Sequence, residues 1–525
     1  VADAGAGRRG GTVSLEWSFS GPKRREMDFA MYYGIEGDLT NDGLTGYIRQ
    51  GGTPTLAANL AESLPFPSDG GRTYAFRLRR GIRYSTGEPV RRSDVRFVLE
   101  RGISNGGFAD QLFSAIRGAR SCRPGACDLS RGIVADDKAG TVVFHMTEPD
   151  GDLLYKLAMP FAVLLPPSVG MKAPAKRPLP ATGPYRIAHF DGRREVRLER
   201  NPEFTSWSPA VRPDGSPDAV VVRYRVPARG AAERVSSGKV DIFPNAVERL
   251  TRQVAQIRRR TPELIRYSPM PVTTWFSLNT RVAPFDNLDA RRAVAFAFDR
   301  RAAARALGGG DLAPPTCQLL PPGFAGFRPY CPFTASGTAS GRPDLATARR
   351  LVERSGTRGA HVVVQSFDIL NRSVPEVMVR TLRRLGYDAS LRVLPSRRHF
   401  ATLFDTSKRV QIGVHPWLAD FPSPTTFFDV FSCASIRRGT SVNINASQFC
   451  DRTSDRLVAE AKRLQVTDPV RAQALWSRAE RRVVDQAPLV AAYNFFNADL
   501  VGERIGNYQF NWVLGGRLLD QLWVR

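Results

Sequence analysis

Few residues in this 525-residue chain are spaced for chemistry. Gly5 to Gly10 reads GAGRRG, which fits the GxGxxG pattern. Such glycines admit a pyrophosphate only where they join a strand to a helix. No strand-forming run precedes Gly5, so the segment reads as linker. Ser20 with Lys23, and Ser236 with Lys239, have the spacing in which a lysine can take a serine proton. Pro22 and Gly238 oppose the helical start that this geometry needs. Asp38, Thr40, Asp42 and Gly43 resemble the opening of a calcium loop, but its closing glutamate is missing, and the stretch reads as a turn. The histidines His145, His189, His361, His399 and His415 are scattered without metal-ligand spacing. No P-loop, GxSxG or HExxH occurs. With no acid–base pair, activated nucleophile or metal cluster in view, the chain reads as a binding protein that needs no cofactor, not as an enzyme.

The six cysteines fall into three sequence-local pairs: Cys122 with Cys127, Cys317 with Cys331, and Cys433 with Cys450. Zinc sites want CxxC or mixed Cys/His clusters, and none is present. Six cysteines admit many connectivities. Three local disulfides formed outside the cytosol is the simplest account, and six buried free thiols is the alternative.

Lysine and arginine total 75 against 50 acidic residues, a net charge of +25. Such a balance suits an anionic partner. Only eight of the basic residues are lysine, and alanine, glycine and proline are abundant, as a GC-rich genome would produce. The charge is also spread along the chain, with short clusters such as Arg258 to Arg260, and no groove-reading or base-stacking motif accompanies it. A nucleic-acid partner is therefore not expected. Hydrophobic residues make up 42 %, enough for large cores, yet no run of about 18 apolar residues could cross a bilayer. Val1 to Gly11 is small and polar, as in an exported chain whose targeting segment has been removed.

The elements that must position any site alternate between helix and strand. Ser93-Asp94 looks like a cap for the helix that follows. Asp344 opens LATARRLVERSG with Gly356 as its stop, His361 to Phe367 is a β-branched run, Ser373 starts a helix that ends at Gly386, and Ala389 to Leu394 is a second strand. This strand–helix–strand order predicts parallel strands in an α/β layer. Ala290 to Leu307 reads as one helix, and Asp468-Pro469 caps another.

Read in order, longer segments resemble the family 5 extracellular solute-binding proteins, the oligopeptide, dipeptide and nickel-binding group. They are Leu56 to Ser63; GGRTYAFRLRRGIRYSTGEPVRRSDVRFVLERG from Gly70 to Gly102; Ala181-Thr-Gly-Pro-Tyr185; Ser237 to Asp241; Phe276-Ser-Leu-Asn-Thr280 with the APFDNLDARRAVAFAFDR that follows; and His415-Pro-Trp-Leu-Ala-Asp420. Cys433 and Cys450, after that last segment, look most like the dipeptide and oligopeptide branch.

The resemblance implies a two-lobed α/β fold of the type II periplasmic-binding-protein kind. Its first lobe would be discontinuous (1–40, 178–266 and 490–525), with an extra subdomain over 41–177 and a second lobe over 267–489. It implies capture of a peptide between lobes that close on it, delivery to ABC permease subunits, a monomer, and a place on the extracellular face of the cell membrane with a lipid anchor outside this chain. In peptide-binding members the aspartate of the Trp-x-x-Asp segment grips the peptide's amino group. Asp420 occupies that position here, with Trp417 in the tryptophan slot and Trp275 on the strand that carries aromatic pocket residues. Tyr32 and Tyr33, near the start of the first lobe, are further candidates. An arginine fork could hold a ligand carboxylate, though no single arginine stands out. One departure matters: Pro416 precedes Trp417 and has no N–H to donate to a strand-like peptide. The same scaffold could then serve an opine-like or sugar-phosphate conjugate, a metal chelate or haem, or act in envelope adhesion or signalling.

Overall fold

The computed structural model describes residues 9–18, 35–106, 108–172, 178–191, 194–246, 256–437, 443–514 and 516–525. The Ser20–Lys23 pair, Tyr32 and Tyr33, and all of the glycine motif up to residue 8 lie outside these residues. The chain divides into two compact units, Val1–Arg266 with Ala498–Arg525, and Tyr267–Asn497.

In the first unit, strand β1 (Thr12–Trp17) runs parallel to Ala219–Tyr224 on one side and to Ile242–Phe243 on the other. Ala219–Tyr224 continues antiparallel into Glu195–Arg200 and then Tyr185–Phe190. Valine and leucine alternate inward along these strands, and Val13, Leu15, Val196, Leu198, Val220 and Val222 form an apolar core. A smaller antiparallel sheet of Thr73–Arg77, Thr141–His145 and Ile133–Asp136 accompanies the helix Ser93–Ser104. Ser93 does not cap that helix; Asp94 turns back to accept from the Arg91 N–H and the Tyr84 hydroxyl, both at 2.9 Å. Asp38 and Thr40 lie on a short helix, Ile35–Thr40, and not in a turn. Asp38 pairs with Arg49 and Asp42 with Arg212, so charge pairing within the unit uses these acids.

The second unit is built on five strands: β2 (Ile265–Leu278), β3 (His361–Phe367), β4 (Asp388–Leu394), β5 (Ile412–Leu418) and β6 (Leu489–Val501), in the order β4-β3-β5-β2-β6. The unit boundaries fall within β2 and β6. β3 is parallel to β4, joined by the helix Ser373–Arg384, as the strand–helix–strand order predicts. Asp344 accepts from the Thr347 N–H at 2.9 Å, and Gly356 ends that helix in the left-handed region at φ 64°. The stretch read as one helix over 290–307 is two, Leu288–Ala297 and Arg300–Ala306. Asp299 breaks it by leaving helical geometry to accept from the Ala302 N–H at 2.8 Å. The unit's core lies beneath the sheet, where Phe276, Leu278, Val364, Ile412, Val414, Met378 and Leu382 pack together.

All six cysteines are paired locally: Cys122–Cys127, Cys317–Cys331 and Cys433–Cys450. No helix among the described residues is long and apolar enough to cross a membrane, and no cluster of His, Cys, Asp or Glu among them could hold a metal ion.

Candidate functional site in the second unit

β5 and β2 pair antiparallel, with Trp275 opposite His415, Thr273 opposite Trp417, and Ser277 opposite Gly413. Side chains directly opposite share a sheet face, and the face alternates along each strand. One face therefore carries Phe276, Leu278, Ile412 and Val414 into the core. The other carries Thr273, Trp275, Ser277, His415 and Trp417, the last of them three residues before Asp420.

On its other edge β5 pairs with β3 only at Ile412 and Gly413. The Val414 carbonyl accepts from His399 Nε2 at 2.8 Å. Beyond it, among the described residues, no strand covers this edge from His415 to Leu418. An open edge offers main-chain hydrogen bonds to an added strand. Pro416 removes one donor from it.

Asp420 is partly buried, and its carboxylate has no hydrogen bond or ion pair among the described residues. Burial, and secondarily the nearby Asp429 carboxylate, push it up to about 6. It does not cap the turn at Pro422; the short contact there is main chain, from the Ser423 N–H to the Phe421 carbonyl at 2.7 Å. A half-desolvated carboxylate without a partner is unfavourable on its own and suits a cation that arrives with the ligand.

Trp417 is half-buried, and its indole N–H is shielded from solvent without a partner among the described residues. Trp275, in contrast, is fully buried. Its indole N–H donates to Ser277 Oγ at 3.0 Å, and its ring lies 4.7 Å from that of His415 and 5.7 Å from that of Phe431. The structure thus brings Asp420 and Trp417 to one strand end and sets Trp275 behind them.

The sequence reading missed His415. It is 1 % exposed, with Nδ1 3.2 Å from Ser277 Oγ, and its ring meets Trp417 edge-on at 5.8 Å and 79°. Burial, with a smaller contribution from His399, lowers it to about 3, so the imidazole is neutral at ordinary pH. Strand alternation singles out Trp275 and Trp417 on their own strands, but nothing in the sequence tells which residue of β5 faces Trp275. The buried arginines of this unit are committed elsewhere. Arg291 bonds the carbonyls of Phe285, Asp286 and Gln486, and Arg300 those of Thr316 and Ala295.

Residues 55–437 match the family model of the bacterial extracellular solute-binding proteins, family 5. Di/tripeptide-binding protein 2 of Pseudomonas aeruginosa is 23 % identical over 88 % of this chain and 85 % of its own length. The periplasmic oligopeptide-binding protein OppA of Salmonella typhimurium is 23 % identical over 86 % and 81 %. Among solved structures, clavulanic acid biosynthesis oligopeptide binding protein 2 superposes with a TM-score of 0.86 at 24 % identity, covering 98 % of this chain and 96 % of that one. The unliganded open form of the periplasmic murein tripeptide-binding protein MppA gives 0.78 at 19 % identity, covering 99 % of each chain. The fold is that of the type II periplasmic binding proteins, and members of the matched family bind solutes without turning them over. This chain belongs to the bacterial extracellular solute-binding proteins of family 5.

Proposed function

We propose that the protein captures peptides for an ABC importer, and that Asp420 receives the ligand's ammonium group. The observation that carries this reading is the unpartnered, half-desolvated carboxylate of Asp420 at the end of an open sheet edge. An arriving ammonium supplies the counter-charge and hydrogen bonds that the protein withholds. The edge from Pro416 to Leu418, which no strand pairs among the described residues, offers the Pro416 carbonyl and the Leu418 main chain to an extended ligand, and the half-buried Trp417 offers an aromatic wall. Relatives named for di/tripeptides and oligopeptides support the ligand class. The protein works on the outer face of the cell membrane, held there by a lipid, and hands its ligand to the permease subunits.

A second reading rests on Pro416. Because that edge position has no N–H, a ligand that needs fewer main-chain bonds than an extended peptide would fit it as well. Intact mass spectrometry of the purified protein, native against denatured, separates the two. A series of extra masses fitting short peptides supports the peptide reading. One discrete non-peptide mass overturns it in favour of the second.

A further inference from the structure

The Trp417 ring touches one aromatic neighbour among the described residues, His415, and its N–H bonds to nothing there. His415 is thus the ring against which the indole rests, and the orientation of His415 bears directly on its plane. That imidazole sits in a cage of rings, with Trp275 at 4.7 Å and Phe404 at 5.2 Å. Packing alone leaves such a cage more than one ring arrangement, because aromatic pairs tolerate a range of offset and tilted geometries. A hydrogen-bond chain removes that freedom. Trp275 Nε1–H donates to Ser277 Oγ, and the Ser277 hydroxyl, with its acceptor side so used, can give its proton to His415 Nδ1. Nε2 then carries the ring proton, and it is buried without a partner among the described residues. A phenylalanine at 415 would fill the same space without leaving that donor unsatisfied. What the histidine adds is the acceptor for Ser277, and hence one fixed ring orientation.

We infer that His415 is a positioning residue for the ligand end of β5: locked by Ser277 and Trp275, it fixes the plane of the Trp417 indole beside Asp420. The inference rests on the reading of Asp420 and Trp417 as ligand contacts given above.

The test uses the full chain with His415→Phe, which keeps a ring and removes the nitrogen, and Ser277→Ala, which keeps the imidazole and cuts the link. The probe is trialanine, titrated by calorimetry. In parallel, the near-ultraviolet circular dichroism of the ligand-free proteins is recorded, with Trp417→Phe identifying the Trp417 band. The inference predicts that each variant alters the Trp417 band and weakens trialanine by about tenfold, the size of one lost neutral hydrogen bond. The double variant should be no weaker than either single one, because both break one chain. An unchanged Trp417 band, affinities within about twofold of wild type, or strictly additive losses would each overturn it. Ser277→Ala, a small change, covers the case in which His415→Phe fails to fold. Failure of the peptide reading looks different: wild type itself would not bind trialanine, while the Trp417 band still reports on His415.

Discussion

Trp275 and His415 stand directly opposite each other on antiparallel strands, their rings 4.7 Å apart, with Ser277 bonded to both. The pair packs on the sheet face that also carries Trp417. Replacing Trp275 by alanine should cost about 3–5 kcal/mol of stability, the usual loss for a fully buried large aromatic. Chemical denaturation followed by circular dichroism measures it, and a loss below about 1 kcal/mol would show that the side chain is not packed as described.

The role proposed for Asp420 sets an expected pH profile for ligand binding. Its carboxyl is raised to about 6 by burial and by Asp429, and an ammonium ligand needs the ionised form. Affinity for a free-amine peptide should be flat between about pH 6 and 7, where the carboxylate and the peptide's ammonium are both charged, and fall by up to about tenfold per pH unit below about pH 6. Calorimetry between about pH 7 and 5 reads this out, with an N-acetylated peptide as the control that should lack the slope.

A separate pH effect acts on stability. Glu480 is buried and accepts from the Leu320 N–H at 2.7 Å and Gln318 Nε2 at 2.9 Å, within the loop closed by Cys317–Cys331. Burial nonetheless raises its carboxyl from 4.5 to about 7. A folded-state value above the unfolded one means that stability falls as pH rises from about 4.5 to about 7, by up to about 3 kcal/mol. Glu480→Gln should remove the Glu480 share of this slope, leaving the smaller one that Asp420 adds below about pH 6, at the cost of one of its two hydrogen bonds. Urea titrations of both proteins across that window provide the check.

The Cys433–Cys450 bridge closes a loop that begins just after Phe431. Within it Asn445 donates to the Ser432 and Phe449 carbonyls, and Thr280 Oγ1 donates to the Ser447 carbonyl. Replacing both cysteines by serine should cost about 3 kcal/mol, most of it through the unfolded state. Urea unfolding midpoints of the double variant and the wild type, both without reductant, measure the loss, because a reductant would also open Cys122–Cys127 and Cys317–Cys331.

Local signals carried much of the fold of the second unit. Asp344 and Asp468 each accept the N–H bond expected of a helix cap, and the run His361–Phe367 is a strand parallel to the one after Gly386. Local rules failed where a side chain had a competing partner. Asp299 split a continuous helical pattern by capping mid-run, and neither Ser93 nor Asp94 caps its helix, because Asp94 is held by the Arg91 N–H and the Tyr84 hydroxyl. The site was legible in another way. Asp420 and Trp417 drew notice through family likeness, whereas His415 depends on a strand register joining residues about 140 apart in sequence, which no local pattern encodes. The burial of Trp275 has the same origin.

Whether Asp420 receives the ligand's ammonium group is decided by calorimetric titration of wild type and Asp420→Asn with one peptide in free-amine and N-acetylated forms. Asparagine keeps the size of the side chain and removes its charge. Wild type should prefer the free amine, Asp420→Asn should weaken its binding by about 2–3 kcal/mol, and the acetylated form should be bound alike by both proteins. Equal binding of the free-amine peptide by wild type and variant would contradict that role for Asp420.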